Sequence, residues 1–387
     1  MTTSESDHKT AFITGANGYL GLAIARRLIE SLPPTTRLTI IVSSRTFPNV
    51  KQAINTIKGY VPVDRPGLVE FDYILFDQKN MVSVLSAVRD LEVRYDQIDY
   101  LYFNACYSMF DGIDWAMAAK EMVTNPVEAF TYGTFKKQRP SRPSDDGIGA
   151  VFHANVFTPW FMLRRLTAKR VDTNAVHADR SLLREGSKVF WVSSLTSKED
   201  SVDVENDIEL THTLASYEAS KRLIDLLHHA TYKQLYKDHG VQTFLVEPGI
   251  FESTSFVPSL NFVSYWGMML TFYLLRWFGS PHHNIDPYKA ASAFVYLALL
   301  SNLPELDGPQ GNSSSNSADG SIQSSGDVVD LSIKYGSATH RNGSEYVYRH
   351  VIPVNNGEDE KVLKYVEGLY KVWNEKLKDQ VIDRYQF

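Results

Sequence analysis

The 387-residue sequence predicts a single α/β domain with a doubly wound parallel sheet, and three observations carry that expectation. Short β-branched runs alternate with stretches of helical period over most of the chain. The first run leads directly into a glycine-rich turn and then a helix, the opening of a nucleotide-binding α/β unit. The length exceeds a typical single domain without requiring two, because doubly wound folds absorb insertions readily.

The elements follow in order. Residues 10–14 read as a strand, 15–21 as the glycine turn, and Leu20, Ile24, Leu28 and Leu32 recur four apart on one helical face. Pro33-Pro34 stops that helix. Strands are predicted at 37–42, 71–76, 98–103, 189–192 and 243–246, with a helical stretch at 50–58 between the second and third. This βα repetition points to a Rossmann-like sheet covered by helices on both faces.

Three stretches break the repetition and are read as parts of the same 1–387 domain. Residues 107–149 form an insertion, read either as short helices near a substrate mouth or as a structural flap. Residues 308–327 are rich in Ser, Asn, Gly and Asp, too polar to offset the entropy of ordering, and are expected to be a disordered surface insertion. Residues 256–280 contain an uncharged apolar run, 256–275, between Glu252 and Arg276. Its length approaches that of a membrane span, but Pro258, Asn261, Ser264 and Gly267 interrupt it. Contact with a membrane surface is favoured over a buried core helix, and both over a span.

Composition narrows the function. A net charge of −6 supplies no general basic field for a nucleic acid backbone, so no nucleic acid partner is expected. The single cysteine, Cys106, excludes an intrachain disulfide and a cysteine-clustered zinc site, fits a reducing compartment, and leaves no metal expected. The polar N-terminus lacks the basic start and apolar run of a secretory signal.

The turn Gly15, Ala16, Asn17, Gly18, Tyr19, Leu20, Gly21 sits between strand and helix. Glycines there let the backbone approach a pyrophosphate, and the helix start offers free N–H groups. The second strand ends without the acid that would bind a ribose hydroxyl. Arg45, supported by Ser43, Ser44 and Thr46, is instead suited to a 2′-phosphate, which favours NADP(H); the plainer reading is a solvated surface arginine. Asp77 is placed either to accept from the adenine amino group or to cap a helix.

Tyr217 and Lys221 lie four apart on one helical face. A phenol is a poor proton relay at neutral pH, and a neighbouring ammonium brings it closer to working range. Ser194 is placed to donate to a substrate carbonyl as charge builds on its oxygen, and Asn155 to anchor a water that continues the relay. Serine as a cap and asparagine as a kink filler are the plainer readings.

In this order, the glycine turn, Asn104-Ala105, Asn155, Ser193-Ser194, Tyr217-x-x-x-Lys221 and Pro248-Gly249 resemble the short-chain dehydrogenase/reductase family over about residues 10–255. The resemblance implies a catalytic set of Ser194, Tyr217, Lys221 and Asn155, with Ile250 and Ser253 joining Pro248 and Gly249 at the cofactor. Several features depart from the family pattern. Tyr19 and Cys106 stand where glycines are usual, Ser253 stands for threonine, and the gap from Ser194 to Tyr217 is long, so Ser193 and Ser197 stay as alternatives for the serine role.

Longer blocks are similar to the fungal 3-keto-steroid reductases of ergosterol synthesis: RLTIIVSSRTFP at 37–48, FDGIDW at 110–115, ANVFTP at 154–159, SYEASKR at 216–222, GSPHHNID at 279–286, KYGSAT at 334–339 and WNEKLKDQ at 373–380. That likeness implies reduction of a 3-keto sterol to the 3β-hydroxy sterol with NADPH during C-4 demethylation. It also implies association with other C-4 demethylation enzymes, at the cytosolic face of the endoplasmic reticulum membrane, with lipid droplets as a second location. Reduction of another apolar lipid ketone, or a scaffold role for sterol enzymes at the membrane, are the competing readings.

Overall fold

The computed structural model describes residues 8–380 apart from 64, 66, 134, 170–179, 254–261, 301–328 and 356. Eight strands form the main sheet: β1 (His8–Ile13), β2 (Arg37–Ser44), β3 (Val69–Leu75), β4 (Tyr100–Phe103), β5 (Lys188–Val192), β6 (Gln242–Glu247), β7 (Ile333–Thr339) and β8 (Glu345–Val351). Their spatial order is β8-β7-β6-β5-β4-β1-β2-β3, and every neighbouring pair is parallel except β7 with β8. The chain runs outward from β1 through β2 to β3, then returns to β4 and continues the other way. The switch point between β1 and β4 is where such sheets open a ligand crevice, at the carboxyl ends of the strands.

Alternation along each strand divides the core. Ala11 and Ile13 of β1 pack with the helices Tyr19–Ser31, Phe47–Lys58 and Ser292–Leu299, while Phe12 packs with Met81–Arg94, Thr158–Thr167 and Ser216–His239. Burial on both faces is what a central parallel strand requires. The first helix ends as expected: Leu32 turns extended before Pro33, whose ring disfavours a helical predecessor.

Two strands of the main sheet were not predicted, β7 and β8. β7 is wholly buried yet carries Lys334, Gly336, Ser337 and Thr339, so its composition hides its position. Gly336 is explained only across the pair, because a Cβ there would lie 2.2 Å from the Tyr348 ring.

The 107–149 insertion contains two short helices, Trp115–Thr124 and Pro126–Tyr132, held between antiparallel strands Phe110–Ile113 and Lys136–Gln138. Asp114 caps the first helix by accepting the Met117 N–H, and Gly133 closes the second at φ +60°. The expected disordered insertion at 308–327 lies outside the described residues, as does 256–261 of the apolar run. The remainder of that run forms the helix Phe262–Trp277, and no helix among the described residues is long and apolar enough to cross a membrane.

Candidate active site

The ends of β1 and β4 are stitched together beneath the glycine turn. Thr14 Oγ1 donates to the Tyr102 carbonyl and accepts the N–H groups of Asn104 and Ala105, while Asn104 Nδ2 donates to the carbonyls of Thr14 and Gly15. Gly15 adopts φ +63°, and a Cβ on it would sit 2.9 Å from the Ala105 Cα. At Gly21 a Cβ would come within 2.7 Å of the Ala16 Cα, so the helix packs against its own turn with no room to spare.

Gly18 caps the Tyr19–Ser31 helix without a side-chain hydrogen bond, and the first turn holds no acid. Uncapped N–H groups at the positive end of a helix fit a pyrophosphate. Gly15, Gly18 and Tyr19 line the adjoining cavity; Asn17 is exposed and outside that lining.

At the end of β2, Ser43 lines the cavity and holds the glycine turn. Its buried hydroxyl accepts the Gly15 N–H and its carbonyl accepts the Ala16 N–H, which commits it to the turn. Ser44 and Arg45 line the cavity, whereas Thr46 is exposed at the start of the next helix and outside the lining. Arg45 is exposed and forms no ion pair among the described residues, leaving its guanidinium available to an anion. Asp77 also faces the cavity and accepts the Lys79 N–H; the helix cap considered for it belongs to Asn80, which accepts the Ser83 N–H.

Ser194, Tyr217 and Lys221 meet at the cavity wall. Lys221 is buried, its Nζ donating to the Val192 carbonyl at 2.7 Å and lying 5.5 Å from the Tyr217 ring centre. An ammonium has three donors, so this bond leaves two for a ligand. Ser194 Oγ accepts the Thr196 N–H and contacts Thr196 Oγ1 at 2.9 Å.

Burial pushes the Tyr217 phenol above its ordinary range, the Cys106 thiol adds to the rise, and a hydrogen bond from Ser194 opposes it. The net direction is opposite to the lowering expected from Lys221. It keeps the tyrosine protonated, the form a proton donor needs.

The two alternative serines are engaged elsewhere: Ser193 Oγ donates to Asp225 Oδ1 at 2.5 Å and Ser197 Oγ to Asp225 Oδ2 at 2.6 Å. Asn155 lies in a π-helical turn, His153–Phe157, and its side chain is fully used as a donor. Nδ2 binds the Tyr107 carbonyl and Ser220 Oγ, and Oδ1 accepts the Tyr107 N–H. The side chain is buried outside the cavity lining, where it braces the 107–149 insertion against the Tyr217 helix.

The long link from Ser194 to Tyr217 is accommodated as a loop. Asp207 accepts the N–H groups of Thr211 and Thr213, and the loop docks on the end of the insertion through Ser141 N–H to Leu210 O and Gly149 N–H to Glu209. Pro248, Gly249, Ile250 and Ser253 line the far side of the cavity. Gly249 adopts φ +70°, with the Pro248 carbonyl accepting from Asn284 Nδ2. Cys106 forms part of the wall beside Asn104 and Ala105.

These groups open on a cavity of about 730 Å3, within the size range of small-molecule sites. Large apolar side chains also line it: Met122, Phe130 and Phe135 come from the insertion, Met268 and Phe272 from the Phe262–Trp277 helix, with Lys79, Lys136 and Glu218 as further charged lining residues. Phe130 and Phe272 meet edge to face, with ring centres 6.4 Å apart. The opposite side of that helix carries Phe262, Trp266, Leu270, Tyr273 and Trp277, all exposed.

Gln138, Asp225 and Lys334 were missed by sequence reasoning. Asp225 had a signal, since it continues the four-residue spacing of Tyr217 and Lys221 along one helix. Gln138 and Lys334 had none, because their partners lie far away in sequence.

The sequence is 43% identical to the 3-keto-steroid reductase of Kluyveromyces lactis, covering 97% of this chain and 98% of that one. It is 42% identical to the 3-keto-steroid reductase of Saccharomyces cerevisiae, again over 97% and 98% of the two chains. No protein-family model matches it. Among solved structures, an NADPH-dependent reductase involved in bacilysin biosynthesis is similar with a TM-score of 0.50 and 14% identity, covering 76% of this chain and 91% of that one. At that identity the likeness concerns the fold alone.

Proposed function

We propose, from the premise that this chain belongs to the 3-keto-steroid reductase family, that it reduces a 3-keto sterol to the 3β-hydroxy sterol with NADPH, in the C-4 demethylation stage of ergosterol synthesis. The observation that carries the reading is the meeting of Ser194, Tyr217 and Lys221 at the wall of a cavity also lined by Met122, Phe130, Phe135, Met268 and Phe272. A rigid hydrocarbon ligand with one carbonyl matches that pairing of a reactive group with large apolar side chains.

NADPH, when bound, supplies the hydride. The uncapped start of the Tyr19–Ser31 helix suits its pyrophosphate, Arg45 and Ser44 its 2′-phosphate, Asp77 its adenine, and Lys221 its nicotinamide ribose. Asn104, Ala105, Pro248, Gly249, Ile250 and Ser253 line the same cavity and would hold the nicotinamide end. Ser194 donates a hydrogen bond to the ketone oxygen as negative charge develops, and Tyr217 delivers the proton that completes the alcohol. Asn155 is a positioning residue, tying the insertion to the helix that carries Tyr217.

The exposed apolar stripe on the Phe262–Trp277 helix, on the back of a cavity wall, supports docking on a membrane surface with this helix between the lipid and the cavity. In this reading the protein works at the cytosolic face of the endoplasmic reticulum, with lipid droplets as a second site, beside other C-4 demethylation enzymes. Fluorescence localisation and co-purification test those two points.

The deciding experiment is NADPH consumption with a 3-keto sterol in detergent, comparing the native chain with Tyr217→Phe and using NADH as a control. Turnover that depends on Tyr217 and on NADPH supports the reading. NADPH binding without turnover of the native chain removes it.

A further inference from the structure

Outside the cavity lining, directly behind Ser194, lies a buried ionic cluster that the chemistry above does not use. Lys334 Nζ sits 2.6 Å from Asp225 Oδ2 and 3.7 Å from Glu247 Oε2, and all three side chains are almost wholly buried. The same ammonium donates to Ser197 Oγ at 2.7 Å and to the Ser194 carbonyl at 3.3 Å. Ser193 and Ser197 each give their hydroxyl proton to Asp225, one to each carboxylate oxygen. Ser197 Oγ also lies 3.0 Å from the Ser194 carbonyl, and the Ser193 N–H is held by the Val246 carbonyl.

We propose that Asp225 and Lys334 are positioning residues that set the direction of the Ser194 hydroxyl by pinning the backbone on both sides of it. The proposal rests on the reading of Ser194 as the group that polarises the ketone. With Ser193 and Ser197 fixed and the Ser194 carbonyl held from behind, the Ser194 side chain is left facing Thr196 and Tyr217. Asp225 follows Tyr217 and Lys221 at four-residue steps on one helix face, so a single rigid helix places the tyrosine directly and the serine through its carboxylate.

Lys334 arrives from β7, 140 residues beyond Ser194, and ties the same loop to the far part of the sheet. Glu247 is the second carboxylate facing the ammonium; burial pushes its carboxyl up, and the Tyr348 hydroxyl donates to it. His282 lies near Glu247, and His228 and His350 lie near Asp225 and Lys334. A charged pair this deep is a poor source of stability compared with apolar packing, which makes a role in fixing geometry the more useful account of it.

The test is a double-mutant cycle against Ser194→Ala. Ser197→Ala removes one link each to Asp225, Lys334 and the Ser194 carbonyl while leaving the ion pair intact. Asp225→Asn combined with Lys334→Met removes the two charges of the close pair together, and Glu247 keeps the Tyr348 hydroxyl as its partner. Steady-state kcat and KM for a 3-keto sterol, NADPH Kd and thermal midpoint are measured for each in native and Ser194→Ala backgrounds.

The proposal expects kcat to fall by about tenfold or more in the native background, as a displaced hydrogen-bond donor would cause, with NADPH Kd within about twofold. It expects no further fall once Ser194 is alanine. Losses of equal size in both backgrounds, an unchanged kcat, or an effect confined to NADPH affinity would overturn it. If Ser194→Ala itself turns over normally, the reading of Ser194 fails first and takes the proposal with it. Should the charge-neutral pair not fold, the Ser197→Ala cycle decides alone.

Discussion

Gln138 Oε1 accepts the backbone N–H of Tyr217 at 3.0 Å, and its Nε2 donates to Glu218 at 2.6 Å. The insertion that walls the cavity is thereby bonded to the first turn of the helix that carries the tyrosine. Replacing Gln138 with alanine leaves a helix N–H and a carboxylate without these partners. A loss of about 1–3 kcal/mol in stability is expected, with a fall in kcat larger than the rise in KM. Denaturant unfolding and steady-state kinetics on the same preparation check both parts.

Two glycines should respond oppositely to alanine. At Gly21 the new Cβ meets backbone atoms of Ala16 and Gly15, which cannot yield cheaply, so Gly21→Ala is expected to cost about 1–3 kcal/mol and to weaken NADPH binding. Gly368 lies exposed in the helix Glu358–Lys376 with nothing within 4 Å of a Cβ. There alanine is expected to stabilise by up to about 1 kcal/mol through helix propensity. Thermal unfolding midpoints and NADPH titration distinguish the two.

Arg45→Ala is expected to raise the NADPH Kd by about 10- to 100-fold, the worth of charge-assisted hydrogen bonds to a phosphate, while leaving the weaker NADH binding nearly unchanged. Fluorescence titration with both nucleotides reads this. Equal losses for the two would return Arg45 to the status of a solvated surface residue.

Acid should destabilise the fold through its buried histidines. Burial lowers His228 from 6.5 to about 4, with Nε2 against the Thr243 carbonyl and Nδ1 unpartnered. His153, His283 and His350 are also lowered to about 4, again mainly by burial. Between pH 6.5 and about 4 the unfolded chain binds protons that the folded chain refuses, so stability falls as pH falls through that window. Each such histidine adds a slope of at most about 1.4 kcal/mol per pH unit. Unfolding free energies measured from pH 7 to 4 should show this fall, and His228→Gln should make it shallower.

On the Phe262–Trp277 helix, Trp266→Lys with Leu270→Lys reverses the character of the exposed stripe without touching the cavity side. Loss of about 1.5–3 kcal/mol per buried apolar side chain predicts at least a tenfold drop in binding to phospholipid vesicles. Turnover of detergent-dispersed sterol should stay within about twofold. Vesicle flotation beside the detergent assay separates docking from catalysis.

Local rules account for what could be read from the sequence by itself. The strand before Gly15, the helical period of Leu20, Ile24 and Leu28, the stop at Pro33, and the pairing of Tyr217 with Lys221 all follow from neighbours a few residues apart, and with them came the parallel α/β class. Contacts between distant segments could not be read this way. Gly336 makes sense only against the Tyr348 ring, Asn155 only against Tyr107 and Ser220, and the choice of Ser194 over Ser193 and Ser197 only once Asp225 and Lys334 claim the other two hydroxyls. The physical reason is that periodicity and turn chemistry act within one element, whereas the partner of a buried polar group is set by sheet order and packing, which join residues a hundred or more apart in the chain.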